Sequence, residues 1–450
     1  MEMSIIFEFA IILLCLLAGA RYGGYGLGLI SGLGLLALVF IFHLQPGKPP
    51  VDVLLTIMAV LGCASTLQTA GGLNVMMAFA ERLLRRHPRH LTLLAPITTW
   101  SLTVMCGTGH VVYTMFPIIY DIAIKKGIRP ERPMAVASIA SQLGICASPV
   151  SVAVVSMVAI LAKAKGLDHP VSLLEILSVG MPATFLGMLL AAFWSMRRGL
   201  DLDQDPVFQA KLQDPAQRDY IYGSSATLLD KTFPKQAYWA TWIFFSAIAI
   251  VVLLGAFPEL RPLLGEAAKA KPLSMNLLIQ IMMLSAGALI LVLCRVKPQE
   301  IPEGTVFKAG MVAVISIFGV AWMADTFFED HFDLLKASLA TVVAAQPWTY
   351  ALVLFVVSKL VNSQAAAIAA IAPLGVQLGV DPLVMLAFLP ACYGYFILPT
   401  YASDLACIGF DRSGTTRIGR FVINHSFIIP GLIGVSTGCI VGWLIVKMLF

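Results

Sequence analysis

Apolar segments of about 20 residues, the length that crosses a bilayer core as an α-helix, recur along the chain between short polar stretches. Hydrophobic residues make up 59% of the 450 residues and charged residues only 12%. So much apolar surface cannot be buried in a soluble globular fold of this size. We therefore predict an all-α polytopic membrane protein.

Composition also excludes several classes of function. The net charge of +5 comes without any dense basic tract, so nucleic acid is not predicted as a partner. The eight cysteines lie in or beside apolar segments without CxxC pairs, which predicts neither a disulfide framework nor a metal site. The first apolar segment, 4–20, ends in a signal-peptidase-like Ala18-Gly19-Ala20 but lacks a basic n-region, so we predict a retained helix.

Lys and Arg set the orientation of the predicted helices, because cytoplasmic loops carry an excess of them. Predicted helices over 4–20, 23–42 and 51–70 precede an amphipathic stretch that ends in the basic run 81–86. That run is predicted to be cytoplasmic, so the N-terminus lies outside. The complete tracing also leaves the C-terminus outside and places most of the 30 Lys and Arg residues inside.

The next apolar region divides into 91–106 and 111–124, separated by Gly107-Thr108-Gly109-His110. Each piece extends roughly 21 to 24 Å as a helix, which is short of the roughly 30 Å hydrocarbon core. Both outer ends are basic, so we predict a re-entrant hairpin whose tip reaches mid-membrane. A single long kinked crossing is the alternative, since glycine and proline also kink ordinary membrane helices.

We predict two inverted repeats, residues 1–198 and 237–450, joined by a cytoplasmic connector over 199–236. Each repeat has three helices, a hairpin, a broken helix and a last helix, which makes about ten membrane-spanning helices plus two re-entrant hairpins. The hairpins cover 91–124 and 348–378, the broken helices cover 134–161 and 382–410, and the last helices cover 172–196 and 421–448. Five crossings per repeat turn the second copy upside down.

Four interruptions at equivalent places in the repeats are predicted to meet at one site, because unwound backbone in a bilayer must be buried or line a wet cavity. Each interruption frees backbone N–H groups at a half-helix N-terminus, where an anion is favoured. Two such clusters suit a small molecule with an anionic group at each end. The predicted binding residues are Thr108, Gly109, His110, Ser148, Pro149, Asn362, Ser363, Gln364, Pro399 and Thr400. Ordinary packing is the alternative for any single Ser or Thr among them.

Lys359 lies deep in the second hairpin, and an ionisable residue at that depth is functional by default. Asp404 is its predicted counter-charge, and the pair is a candidate for handling substrate or a coupling ion. A purely structural pair is the alternative reading. His110 is predicted either to titrate with the substrate or to be a hydrogen-bonded structural residue.

Three further patterns have less specific interpretations. Gly24, Gly28 and Gly32 permit close helix contact within a scaffold or between protomers. The run 434–438 fits GxSxG but lies in an apolar helix, so a nucleophile is not predicted there. The connector is favoured as a plain link over a partner-binding segment. An intramembrane enzyme is disfavoured because the sequence has no HExxH motif, nucleophile elbow or clustered His/Asp set in one segment. An open channel is disfavoured because paired broken hairpins suit alternating access better.

Long, specific strings resemble one known family over essentially the full length. They are QPGKPPVDV from Gln45, CGTGHVVYT from Cys106, IRPERPMA from Ile128, ASPVSVAVVS from Ala147, VNSQAAA from Val361, and ACYGY, ILPTY and FDRSGTTRIGRFVINHS from Ala391 onward. The chain resembles the anaerobic C4-dicarboxylate (Dcu) transporters, and within them the fumarate/succinate antiporter branch.

The resemblance implies a bacterial inner-membrane carrier that exchanges external fumarate, malate or aspartate for internal succinate during anaerobic fumarate respiration. It implies no organic cofactor, Na⁺ or H⁺ as candidate coupling ions, and periplasmic termini for the orientation traced above. Some relatives act as co-sensors with a membrane histidine kinase, which is the alternative function. The wider ion-transporter superfamily that the chain resembles implies an elevator-like transport domain on a homodimeric scaffold, with hairpin tips that bind carboxylates.

Overall fold

The computed structural model describes residues 2–22, 25–49, 51–162, 171–223, 227–264, 271–331, 346–399, 401–419 and 424–449. Nearly all of this part is helical, apart from an antiparallel pair of two-residue strands, β1 (Leu263–Leu264) and β2 (Lys271–Pro272). Seven helical spans in it are long and apolar enough to cross a membrane, when the interrupted stretch Glu131–Leu161 is counted as one span. The described part is thus a helical membrane protein, as the sequence predicts.

The first part of the chain forms nine helices in the described residues. They are α1 (Glu2–Tyr22), α2 (Gly26–Phe40), α3 (Val51–Thr69), α4 (Gly72–Arg86), α5 (Leu91–Cys106), α6 (Val112–Lys125), α7 (Glu131–Leu143), α8 (Val152–Leu161) and α9 (Leu173–Ser195). Helix α5 has the bounds predicted for the first short piece, and α6 begins and ends one residue later than the predicted 111–124, with a 3₁₀ turn over Gly109–Val111 between them. Helices α7 and α8 are separated by a 3₁₀ turn over Gly144–Ala147 and an extended Ser148.

The connector contains two short helices, α10 (Pro206–Leu212) and α11 (Pro215–Tyr222). Asp205 and Asp214 cap them, and a proline follows each cap at the first helical position. This arrangement satisfies backbone N–H groups that a helix start otherwise leaves free. The Asp-Pro pairs therefore begin helices, and the connector is more structured than a plain link.

The second part contains eight further helices in the described residues. They are α12 (Lys235–Ala256), α13 (Met275–Leu293), α14 (Thr305–Asp330), α15 (Trp348–Val361), α16 (Gln364–Gln377), α17 (Pro382–Ala387), α18 (Ala402–Phe410) and α19 (Ile428–Leu449). The last helix begins seven residues later than the predicted 421, because residues 411–419 and 424–427 form a loop with an isolated β-bridge between Ile418 and His425.

The break between α17 and α18 begins well before Pro399 and Thr400, where the sequence predicts the interruption of the broken helix 382–410. Helix α17 ends at Ala387, and two 3₁₀ turns, Leu389–Cys392 and Tyr395–Ile397, follow it. Gly394 lies between these turns, where a Cβ would come 2.2 Å from the carbonyl oxygen of Phe355. Its backbone N–H donates to Ser358 Oγ on α15 at 2.7 Å. Close approach of α15 therefore keeps this stretch out of a regular helix.

Glycines allow two long helix pairs to cross at backbone contact. On α2, a Cβ at Gly28 would meet the carbonyl oxygen of Ile315 on α14 at 2.1 Å. On α9, a Cβ at Gly187 would meet the carbonyl oxygen of Gly434 on α19 at 2.2 Å. Gly28 therefore packs within the chain, and the GxSxG run serves helix packing.

Candidate functional site

The tip of the first hairpin is built from Gly107 and Thr108. Gly107 has φ +73°, a conformation that glycine adopts without strain, and a Cβ there would lie 2.6 Å from the carbonyl oxygen of Val150. Thr108 is extended and caps the turn that leads into α6, accepting a hydrogen bond from the backbone N–H of His110 at 3.3 Å. The tip thus packs directly on the break between α7 and α8.

The tip of the second hairpin repeats this backbone path with different residues. Asn362 has φ +49°, in the left-handed region that asparagine tolerates better than most residues. Ser363 is extended, and its Oγ accepts a hydrogen bond from Ala366 N at 3.3 Å at the start of α16. Both tips therefore present a hydroxyl beside the N-terminal end of a half-helix, where the helix dipole favours an anion.

A buried hydrogen-bond network joins the second tip to the first broken helix. Gln364 Nε2 donates to the backbone oxygen of Gln142 at 2.8 Å and to Tyr395 Oη at 3.3 Å. Tyr395 Oη in turn donates to Gln142 Oε1 at 2.7 Å. Cys146 and Cys392 complete the network, since each thiol lies within hydrogen-bond distance of Gln364 Oε1. The chain thereby brings together hairpin and helix breaks that are more than 200 residues apart.

Gln142 and Tyr395 are not among the site residues predicted from the sequence. Gln142 lies in an otherwise ordinary stretch of α7, and Tyr395 lies in an aromatic run that reads as packing. One signal was available, because a glutamine in an apolar helix must find a partner when it leaves water. Its partner could not be identified before the fold was known.

Lys359 holds the second tip against the second break. Its Nζ donates to Asn362 Oδ1 at 3.1 Å and to the backbone oxygens of Leu398 at 3.2 Å and Tyr395 at 3.4 Å. Pro399 is buried next to Leu398, and Thr400 lies outside the described residues. The cation thus neutralises carbonyl dipoles at the broken backbone.

Asp404 on α18 is fully buried. Its Oδ1 accepts a hydrogen bond from Ser138 Oγ on α7 at 2.8 Å, and its Oδ2 has no hydrogen-bond partner in the part of the chain that the structure describes. Lys359 interacts with it through space, not as a hydrogen-bonded ion pair. Ser138 is thus the hydrogen-bond partner of Asp404 and joins the two broken helices, while the role of Asp404 as counter-charge to Lys359 stays a prediction.

Four predicted site residues remain, of which two lie at the first tip and two at the break between α7 and α8. His110 lies at the first tip, where its Nδ1 is 2.7 Å from Thr108 Oγ1, and its ring contacts Tyr113. Gly109 packs against Gln142. Ser148 is buried, and its Oγ accepts a hydrogen bond from Val150 N at 3.3 Å within its own turn. Pro149 lines an apolar cavity of about 410 Å³, and the structure does not bring it to the polar network.

Most groups at the centre are buried, yet a few remain half-exposed. Thr108, His110, Asn362 and Ser363 are half-buried, whereas Gly109 and Gln364 are buried. The hydroxyl and amide side chains of the two tips thus belong to half-buried residues, while the network behind them is buried. Such a site can donate hydrogen bonds to two separate carboxylates.

Comparisons with known proteins identify the family of the chain. A family model described as anaerobic C4-dicarboxylate membrane transporter matches residues 4–450. The chain belongs to this family. The transporter is 55% identical to the anaerobic C4-dicarboxylate transporter DcuB of Escherichia coli O6:H1, over 98% of each protein. It is 37% identical to the C4-dicarboxylate transporter DcuA of Escherichia coli K12, over 98% of this chain and 99% of that relative.

A solved structure supports the fold separately. MtrF of Neisseria gonorrhoeae, described as illuminating a class of antimetabolite efflux pumps, superposes with a TM-score of 0.61 at 16% identity. The match covers 94% of this chain and 85% of MtrF. The transporter therefore shares a helical membrane-transporter fold with a distant protein. Because its relatives are transporters, it is not an enzyme.

Proposed function

We propose that the chain exchanges C4-dicarboxylates across the bacterial inner membrane by alternating access, taking up external fumarate, malate or aspartate for internal succinate in anaerobic respiration. One observation carries this proposal: two hairpin tips with the same backbone path present hydroxyl groups beside half-helix N-termini. Each tip can receive one carboxylate, so the pair suits a dianion with carboxylates at both ends.

Exchange without net leak follows from the cost of an empty site. An unloaded carrier would move tip donors and the Lys359 charge through the membrane without an anion to compensate them, and such groups are costly in a low-dielectric environment. A bound dicarboxylate supplies acceptors and negative charge. The loaded carrier is therefore expected to change face more readily than the empty one.

The proposal is tested by uptake of labelled fumarate into proteoliposomes, with and without internal succinate. Wild type is expected to show strong stimulation by internal succinate, and Ser363→Ala is expected to lose more than about tenfold of that exchange, since a charge-assisted hydrogen bond contributes about 1.5 to 3 kcal/mol. Ser178→Ala is the matched control, because Ser178 is exposed and, among the described residues, its hydroxyl bonds to Glu175 O in its own helix alone. No saturable fumarate flux in wild type would contradict the transport proposal, and full exchange in Ser363→Ala would contradict this tip as the site.

Asp404 is the proposed site for the coupling ion, either H⁺ or Na⁺. Its Oδ2 has no hydrogen-bond partner among the described residues, which leaves it available to a bound proton or cation. Asp404→Asn keeps an acceptor for Ser138 and is expected to abolish gradient-driven net uptake while exchange stays within about twofold. Asp381→Asn, an exposed helix cap, is the control. Loss of exchange and net uptake together would make Asp404 a structural residue.

The orientation, with both termini in the periplasm, and an elevator motion of two inverted repeats on a homodimer are further parts of the proposal. The shared path of the two tips supports the repeat. A co-sensor role rests on the resemblance alone, since neither DcuB nor DcuA is described as a sensor.

A further inference from the structure

A cavity of about 500 Å³ opens on the predicted cytoplasmic face, away from the hairpin tips. Three arginines, one carboxylate and a histidine contribute the charged and titratable side chains of its lining. These five are Arg129, Arg198, Arg417, Glu131 and His425. We call this cavity the basic vestibule.

Two of the three arginines are fixed by other contacts. Arg129 donates to Glu131 Oε2 at 2.9 Å and to Asp205 Oδ2 at 2.6 Å. Arg198 Nε lies 3.1 Å from Glu131 Oε1, and its other nitrogens donate to the backbone oxygens of Ser426 and His425. One lining carboxylate is thus shared by two guanidinium groups, so the lining keeps an excess of positive charge.

Arg417 supplies the remaining cation. Its side chain is exposed, and its guanidinium makes no hydrogen bond or ion pair with any residue of the described ranges. Its backbone is held, because its N–H donates to Ser426 Oγ at 3.0 Å and its carbonyl oxygen accepts from Ser426 N at 3.0 Å. The backbone is therefore fixed while the charged end can reach a ligand.

The arginines repel one another across the vestibule. Burial lowers the pKa of Arg198, Glu131 opposes that effect, and the charges of Arg129 and Arg417 lower the pKa further. Concave sites with one sign of charge concentrate counter-ions and raise their rate of association. An anion in the vestibule would relieve this repulsion.

The vestibule adjoins the second helix break. His425 Nε2 lies 3.1 Å from the backbone oxygen of Ile397, and its Nδ1 accepts from Phe427 N at 3.1 Å, so both ring nitrogens are occupied. The next carbonyl, that of Leu398, accepts from Lys359. His425, which lines the vestibule, therefore contacts the residue next to the carbonyl that Lys359 holds at the central site.

We propose that the basic vestibule binds the dicarboxylate dianion on its way between the cytoplasm and the hairpin tips, with Arg417 as the side chain that contacts it. Arg198 and Arg129 supply a fixed positive field around it. This inference rests on the proposed exchange function. It adds a second anion site, which acts from one face of the membrane only.

The test uses right-side-out and inside-out membrane vesicles that contain the full-length protein, with labelled succinate presented to either face. Arg417→Gln is expected to raise the half-saturating succinate concentration at the cytoplasmic face by about 3- to 10-fold and to weaken its dependence on salt. The half-saturating concentration at the other face and the maximal exchange rate are expected to stay unchanged. Arg197→Gln is the matched control, because Arg197 is exposed one residue from Arg198 but does not line the cavity.

Three outcomes would overturn the proposal that the basic vestibule captures the substrate. An Arg417→Gln protein with wild-type half-saturation at both faces would show that the cavity does not capture substrate, and an equal change at both faces would place the effect at the central site. An effect that appears only in liposomes with anionic lipid, and not in zwitterionic ones, would assign the cavity to a lipid headgroup. Failure of the wild type to exchange would instead count against the proposed function itself.

Discussion

Gly109 leaves room for the Gln142 amide of the central network because it has no side chain. A Cβ at this position would lie 2.4 Å from Gln142 Nε2, so Gly109→Ala must displace the amide that accepts from Tyr395. We expect exchange to fall by more than about tenfold, because a displaced partner leaves buried polar groups unsatisfied at about 1 to 3 kcal/mol each. Labelled fumarate exchange, normalised to protein in the membrane, measures this effect.

Gly32→Ala is the control for that substitution, because nothing lies within 4 Å of a Cβ built at Gly32. Its exchange rate is expected to equal that of wild type. If Gly109→Ala also exchanges at the wild-type rate, the Gln142 amide does not position the tips.

Single residues differ in how far the sequence reveals them. Thr108 and Ser363 could be predicted as tip residues because glycine or asparagine precedes them in a short polar break between apolar pieces. Gln142, Ser138 and Tyr395 could not, because their roles depend on partners more than 200 residues away. The Asp404 contact with Ser138 was missed for the same reason, since charge pairing favours Lys359 when only composition is known.

At the scale of elements, helix α10 is tied to the start of α7 by Asp205. This residue caps α10 through hydrogen bonds from Val207 N and Phe208 N and also receives Arg129 at 2.6 Å. Burial alone raises the pKa of Asp205, but Arg129 and the two backbone donors outweigh it and lower the pKa overall. The connector is therefore held to the membrane part by a charge-assisted contact.

Asp205→Asn keeps the cap and removes the ion pair. We expect it to lower the midpoint of thermal unfolding by a few degrees at neutral pH, since such a partly buried pair contributes about 1 to 2 kcal/mol. Because the folded pKa lies below the ordinary 3.8, the wild-type advantage is complete at neutral pH and is lost as pH falls through the folded pKa. Asp214→Asn, an exposed cap without an ion pair, should change nothing, and equal midpoints for Asp205→Asn and wild type would refute the contact.

The bounds of α5, α6 and α15 follow the predicted segments because apolar runs end where polar or glycine residues begin. The second break does not follow its prediction, since residues 388–401 are as apolar as a helix. Pro390 and Gly394 are local signals for an earlier break, and the close approach of α15 at Gly394 fixes where the helix is interrupted. Such an approach is a property of packing and not of the local sequence.

At the scale of the whole molecule, the distribution of Lys and Arg predicts which ends face the periplasm. In a cysteine-free background, Lys447→Cys near the C-terminus is expected to react with a membrane-impermeant maleimide in intact cells. Lys126→Cys, which is also exposed but lies beside the basic end of α6, is expected to react only after permeabilisation. The reverse labelling pattern would show that the orientation in the membrane is opposite to the predicted one. Labelling of both cysteines in intact cells would refute the predicted number of crossings.

The two hairpin tips share a backbone path, but they differ in whether the tip hydroxyl already donates a hydrogen bond within the protein. Ser363 accepts from Ala366 N and donates to no described residue, so its proton is free for an incoming carboxylate. Thr108 shares its proton with His110 Nδ1 whenever the imidazole is neutral with its hydrogen on Nε2. Loading of the first tip is therefore tied to the tautomer of one ring, whereas loading of the second tip is not, and a symmetric substrate meets two unequal ends.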